Sequence, residues 1–132
     1  MIDIKQCAEL LADKIPGAAQ IYKEHLNDYN EINLHILVGD IINEPLTKLL
    51  GENKQRDLIK IYCDTIERMW RYGDEYVKNV VDVTILEYIS GRDEEWQIFG
   101  SYVTDGFKNY INKEYVPFFR SYFKIVPFEI FL

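Results

Sequence analysis

Cysteine and histidine occur only twice each in these 132 residues, and they form no CxxC pair and no Cys/His cluster. That argues against a zinc finger or a dithiol redox motif, both of which need ligands or thiols at short, regular spacing. Cys7 and Cys63 each stand among apolar neighbours, and so read as reduced, structural thiols. GxSxG, GxGxxG, P-loop and HExxH patterns are missing as well, which removes the motif-level signatures of common hydrolases, nucleotide binders and zinc peptidases. No segment reaches the roughly 20 consecutive apolar residues that cross a bilayer. The opening stretch MIDIKQCAELLADKIPG carries acids where a signal peptide would be basic. A cytoplasmic protein with no membrane partner is the resulting expectation. Positive charge is also short: 15 Lys and Arg against 22 Asp and Glu leave a net charge of -7. Binding to a phosphate backbone depends on basic residues displacing counterions, so a nucleic-acid partner is not expected and a basic protein partner fits better.

What the chain has in quantity is apolar surface for one core. Apolar residues make up 48 %, with ten Tyr and seven Phe, and the length suits a single domain over residues 1–132. Helical spacing recurs and strict alternation does not. A first helix is expected over residues 2–14, with Ile4, Cys7, Ala8, Leu11 and Ile15 along one side, stopped by Pro16, which starts the second. The second runs to Leu26 and places Ile21, Tyr22 and His25 together, with residues 27–31 as a turn. A third begins near Ile32, is kinked or broken at Pro45, and ends at Gly51. Residues 53–73 form the clearest helix, with Leu58, Ile61, Tyr62, Thr65, Met69 and Tyr72 on one face and Gly73 as C-cap.

The next helix, GDEYVKNVVDVTILEYISG, starts at Asp74 and stops at Gly91. Projected on a helix, Glu75, Lys78, Asn79 and Asp82 form a narrow polar stripe in which Lys78 and Asp82 pair one turn apart, and the apolar remainder makes this a central helix. Residues 92–115 form another helix with Asp93 as N-cap, weakened by Gly100 and Gly106, which also let a neighbour approach closely. Pro117 and Pro127 bound a short helical segment, and the terminal FEIFL should dock on the body. The sum is an all-α fold of six to seven helices packed as antiparallel hairpins.

Asp74, Val77, Lys78, Val81, Ile85, Leu86 and Ile89 resemble the second helix of a HEAT-type repeat, where an aspartate caps the helix and a Val-Lys or Val-Arg pair opens it. With the helix before it, this would form one hairpin of a HEAT-like bundle or short solenoid. Gly39-Asp40 within LHILVGDIINE, followed by that hairpin and a final amphipathic helix, is similar to a family of small bacterial all-helical proteins found near polymorphic toxin systems. The resemblance implies an immunity or adaptor role.

Recognisable site chemistry is sparse. His35 and Asp40 form an H-x4-D pattern, Asp40 and Glu44 are i, i+4, and His25 could join them, but a metal needs three or four converging ligands. Neither histidine is assigned as a ligand; both are expected to be partly buried and ordinarily hydrogen-bonded. No metal, cofactor or catalytic residue is assigned. The charge distribution says more: from Glu24 to Glu44 the chain holds Glu24, Asp28, Glu31, Asp40 and Glu44 and not one Lys or Arg. Read functionally, that block steers a basic partner; read structurally, it keeps a helical hairpin soluble. Trp70, Tyr72, Tyr76 and Trp96 cluster near helix ends and divide between core packing and a second surface, with core packing favoured. The leading expectation is a non-enzymatic protein-binding module, an immunity-type protein that neutralises a toxin through Asp28, Tyr29, Glu31, Asp40, Glu44 and Asp74. Behind it stand a scaffold that self-associates as a homo-oligomer through its aromatic ridge, and an enzyme built on His35 and Asp40.

Overall fold

The structure is a computed structural model and describes residues 1–119 and 124–129. Seven helices account for most of it: α1 (Ile4–Lys14), α2 (Ala18–Tyr29), α3 (34–52), α4 (Arg56–Tyr72), α5 (75–90), α6 (Asp93–Gly100) and α7 (105–119). No strand is present among the described residues, and the one β feature is an isolated parallel bridge between Ile2 and Gly73. The all-α expectation holds, at seven helices.

Local chemistry explains most of the boundaries. Asp3 caps α1 in a reciprocal capping box with Gln6, so the helix begins two residues later than its apolar pattern alone predicts. Gly17, in the left-handed region, opens α2, and Pro16 is left in the turn before it, contrary to its expected place inside the helix. At the other end α2 overruns the expected turn and ends at Tyr29, with Asn30 supplying a left-handed C-cap. Asn33 then caps α3 by accepting from the Ile36 N–H. Gly73 is the C-cap of α4, as expected, with an extended backbone. Its lack of a side chain answers crowding: a Cβ would stand 2.3 Å from the Met69 carbonyl oxygen and 2.6 Å from a Val77 methyl. Asp74 caps α5 as expected, through the Val77 N–H at 2.9 Å. Arg92, not Asp93, precedes α6, and its guanidinium turns back to donate to the Tyr88 carbonyl at the end of α5.

Three helices contain a π-helical turn: Gly39–Asn43 in α3, Val81–Leu86 in α5 and Ile111–Tyr115 in α7. The first and third each precede a proline by two residues, Pro45 and Pro117. An α-helix must accommodate both the missing donor and the ring clash of an internal proline; the wider π turn does so here, and α3 continues through Pro45 without the expected break. The π turn of α5 has no proline. It lies in the run Val80, Val81, Val83, Thr84 and Ile85, whose branched side chains crowd an α-helical ladder.

α1 is the hub, packing against α2, the start of α3, α4 and the start of α5. Its buried face is the expected one, Cys7, Ala8 and Leu11 with Ile15. α3 and α5 run side by side in the same direction, first turns against first turns and π turn against π turn, while α4 folds back along both. On α4, Tyr62, Thr65 and Met69 are buried as expected and Leu58 is half-buried, but the buried face extends to Ile59, Cys63 and Ile66, whereas Ile61 and Tyr72 face solvent. Both thiols are free and buried. Burial, with the Asp74 charge adding to it, pushes Cys7 up to about 12, and burial raises Cys63 as well.

The helix expected over residues 92–115 is divided at 101–104 into α6 and α7. Glu67 explains the division, since its buried carboxylate accepts from both the N–H and the hydroxyl of Thr104, at 2.6 and 2.9 Å, just before α7. The tail docks as expected as far as it is described. Ile125 and Phe128 are buried, Asn112 exchanges two hydrogen bonds with the Phe128 backbone, and the Trp96 indole donates to the Val126 carbonyl at 2.8 Å. Gly100 admits the Phe128 ring, which would lie 2.6 Å from a Cβ there; Gly106 has no such neighbour. Residues 120–123, between the two prolines, and 130–132, the last of FEIFL, lie outside the described residues.

Gly100→Val should therefore expel Phe128 and lower stability by about 1–3 kcal/mol, the usual range for overpacking a tight site. In a Trp70→Phe background, leaving Trp96 as the one indole, its emission should shift to the red. An unshifted spectrum would show that the ring and the tail stay in place.

Candidate functional site

The acids singled out in the sequence fall on the end of α2, the turn after it, and one stripe of α3. Asp28 and Tyr29 occupy the last turn of α2, Glu31 lies in the connection, and Asp40 and Glu44 follow Ile36 at four-residue spacing along α3. All five are exposed, and none of the four carboxylates has an ion-pair partner among the described residues. Asp40 and Glu44 share a shallow groove with Pro45 and Lys48. Asp74 differs: it is half-buried and its carboxylate is occupied in capping α5. Apolar side chains are left in the open beside these acids, Leu26 at 37 %, Tyr29 at 47 % and Ile36 at 36 % exposure.

Two histidines hold this surface from beneath. His25, only 3 % exposed, accepts the Asn33 N–H through Nε2 at 3.0 Å and lies 4.8 Å from the Tyr29 ring. It thus fixes both the turn that carries Glu31 and the tyrosine at its edge. His35, half-buried, places Nδ1 2.6 Å from the Thr84 hydroxyl and meets the Tyr76 ring edge-on at 5.5 Å. Asn43 donates to the Thr84 carbonyl at 3.2 Å, so two side chains of α3 grip one residue in the π turn of α5. Both histidines are hydrogen-bonded in the interior, as expected. His35 bonds to Thr84 and not to Asp40, and no group of three His, Cys, Asp or Glu among the described residues could hold a metal ion.

Asp82 departs from the expected solvated stripe. It has no pairing with Lys78; instead the Tyr110 hydroxyl of α7 donates to its carboxylate, at 2.8 and 2.7 Å from the two oxygens. Asp82 is half-buried at the start of the π turn, while Lys78, one turn before it, stays exposed. Burial above all holds its carboxyl above the usual carboxylate range, the Tyr110 hydrogen bond pulls it down, and the Glu114 charge pushes it up. Beside this pair, the Tyr115 hydroxyl meets Ser90 at 3.2 Å, and burial pushes that phenol up to about 12.

The tryptophans of the expected aromatic ridge are both used internally. Trp96 is buried among Phe99, Tyr115 and Phe128, and Trp70 stacks on Phe107 at 4.8 Å, which leaves Tyr72 and Tyr76 exposed.

A carboxyl raised in the folded state holds its proton more tightly there than in the unfolded chain, so its contribution to stability is fullest below the ordinary value of 3.8 and falls as pH rises through the folded value. Asp82→Asn, which keeps an oxygen for Tyr110, should be at least as stable as the parent at neutral pH, with the gap closing as pH falls towards 3.8. Thermal melts across that range decide it, and an asparagine variant that is weaker throughout would show that the ionised pair stabilises the fold.

No curated protein and no solved structure matches the chain. Residues 8–118, most of its length, match the family described as domain of unknown function DUF7674, and the chain belongs to that family.

Proposed function

We propose that this protein is a non-catalytic binding module that takes a basic protein partner on the surface formed by the end of α2, the following turn and the outer stripe of α3. One observation carries the reading: Asp28, Glu31, Asp40 and Glu44, four carboxylates without an ion-pair partner among the described residues, flank exposed Leu26, Tyr29 and Ile36. Apolar anchors with a charged rim suit protein recognition, since the anchors supply affinity while the charges steer and select the partner. His25 and the grip on Thr84 hold that surface in one conformation, so little ordering is required on binding.

The most concrete partner is a toxin domain, blocked sterically or by mimicry of its anionic substrate, as the likeness of LHILVGDIINE and the following hairpin to proteins near polymorphic toxin systems implies. Neutralisation of this kind takes place in the cytoplasm. No helix among the described residues is long and apolar enough to cross a membrane. Self-association ranks second, because its aromatic ridge is reduced to Tyr72 and Tyr76.

The test is co-expression with the product of the neighbouring reading frame, followed by titration of the purified pair. The parent should protect cells and bind. Replacing Asp28, Glu31, Asp40 and Glu44 with Lys should weaken binding by at least about tenfold near physiological salt, with the difference shrinking as the Debye length contracts towards about 3 Å at 1 M. Binding that ignores both the four charges and the salt would overturn the proposed surface.

A further inference from the structure

The tail beyond α7 is held by side chains that read its backbone. Asn112 of α7 donates through Nδ2 to the Phe128 carbonyl at 2.7 Å and accepts the Phe128 N–H at Oδ1 at 2.8 Å, so one amide satisfies both polar groups of a single residue. Two residues earlier, the Val126 carbonyl accepts from the Trp96 indole of α6 at 2.8 Å. Pro127, between them, has no N–H to satisfy and keeps Val126 out of the helical region. The segment is therefore partly preorganised for the cleft that receives it.

Apolar contacts complete that cleft. The buried Phe128 ring lies 4.5 Å from the Trp96 ring and 6.5 Å from that of Phe99, in the space that Gly100 leaves open. Ile125, three residues before it, is buried as well, whereas Lys124, Val126, Pro127 and Glu129 are exposed. An irregular segment with two apolar anchors and its main chain hydrogen-bonded to the receiving side is bound as a short peptide ligand is bound. Trp96, Phe99, Gly100 and Asn112 all belong to α6 or α7, so these contacts can be released without opening the packing of α1 against its neighbours.

We propose that this cleft is a peptide-binding site which a second copy of the chain also fills: two molecules exchange residues 124–129, each Phe128 entering the other's notch at Gly100. Fit decides the occupant, because the sequence that matches both the notch and the readers Asn112 and Trp96 is this chain's own. Exchange re-forms in the dimer every contact that it breaks in the monomer, which makes it a low-cost route to association. A tail that has left its cleft exposes Ile125 and Phe128 beside an open notch, and each copy then supplies what the other lacks. Opposing this is the high effective concentration, of millimolar order, at which a chain offers its own tail to itself. Exchange involves neither Tyr72 and Tyr76 nor the acids of α2 and α3, and so is independent of the partner surface proposed above.

Two variants remove the competition from within. Gly100→Val keeps an intact tail but closes the notch, whereas Ile125→Asp/Phe128→Asp keeps the notch but spoils the tail. Each alone should be monomeric by light scattering after size exclusion and retain the parent's helical circular dichroism. Mixed at about 100 µM they should form a one-to-one heterodimer, because the intact tail and the open notch now sit on different molecules. Adding Asn112→Leu to the open-notch chain should abolish that heterodimer. Gly100→Ala and Phe128→Ser are the milder pair should either variant fail to fold. The parent should be monomeric at about 10 µM and largely dimeric at about 1 mM. A mixture that stays monomeric, a dimer of either variant alone, or a parent still monomeric at about 1 mM would overturn the proposal. So would a spoiled-tail chain that binds a fluorescein-labelled, capped Lys-Ile-Val-Pro-Phe-Glu peptide yet ignores the Gly100→Val chain, since the cleft would then serve a segment of a different protein.

Discussion

The architecture depends on how long helices keep their backbone hydrogen bonds where a regular α ladder cannot continue. Pro45 and Pro117 lie inside α3 and α7, and each is preceded by a π turn that absorbs the missing donor. The π turn of α5 arises from a run of branched side chains instead. Because α3 and α5 run in parallel, two of these widened turns abut, and their contact is fastened through Thr84 by His35 and Asn43. The position of α3, and with it the acidic stripe of Ile36, Asp40 and Glu44, follows from that junction. An irregularity forced by a few residues thus sets where the exposed surface lies.

Much of this was legible in the sequence. Apolar spacing located every helix, and small determinants such as Asp74 and the scarcity of strand patterns were read correctly because they act locally. The misreadings share a physical cause. A helical wheel sees one helix alone, so it assigned Asp82 to the Lys78 stripe, whereas the packing of α7 gives it Tyr110, 28 residues away. Residues 92–115 were likewise read as one helix, because nothing near Ser101 or Thr104 reveals that Glu67 waits on another element. Gly73 was read correctly as a C-cap, but the crowding by Met69 and Val77 that leaves no room for a side chain there shows only in the packing.

Charge in this molecule is segregated by how each acid is used. Carboxylates that face inward are each committed to a particular donor: Glu67 to Thr104, Asp82 to Tyr110 and Asp74 to the start of α5. Those of the α2–α3 surface face water without a cation. Burying an acid beside a single hydrogen-bonding partner specifies geometry at modest cost, whereas leaving several unpaired in one place preserves a field that extends to about a Debye length. The first use builds the fold and the second is available to a partner.

The bridge between Ile2 and Gly73 has a consequence for the chain as a path. Ile2 donates to the Tyr72 carbonyl and accepts from the Asp74 N–H, at 2.7 and 2.8 Å. These bonds close a loop of roughly 70 residues, whose closure entropy alone amounts to about 4 kcal/mol. Two backbone hydrogen bonds cannot supply that; the buried face of α1 must. The first four helices therefore form a ring, tied at its ends, from which α5 departs. A single cut in the exposed turn after α2 would open the ring without freeing either piece, because α1 and α2 would still be held at both the tie and the hub.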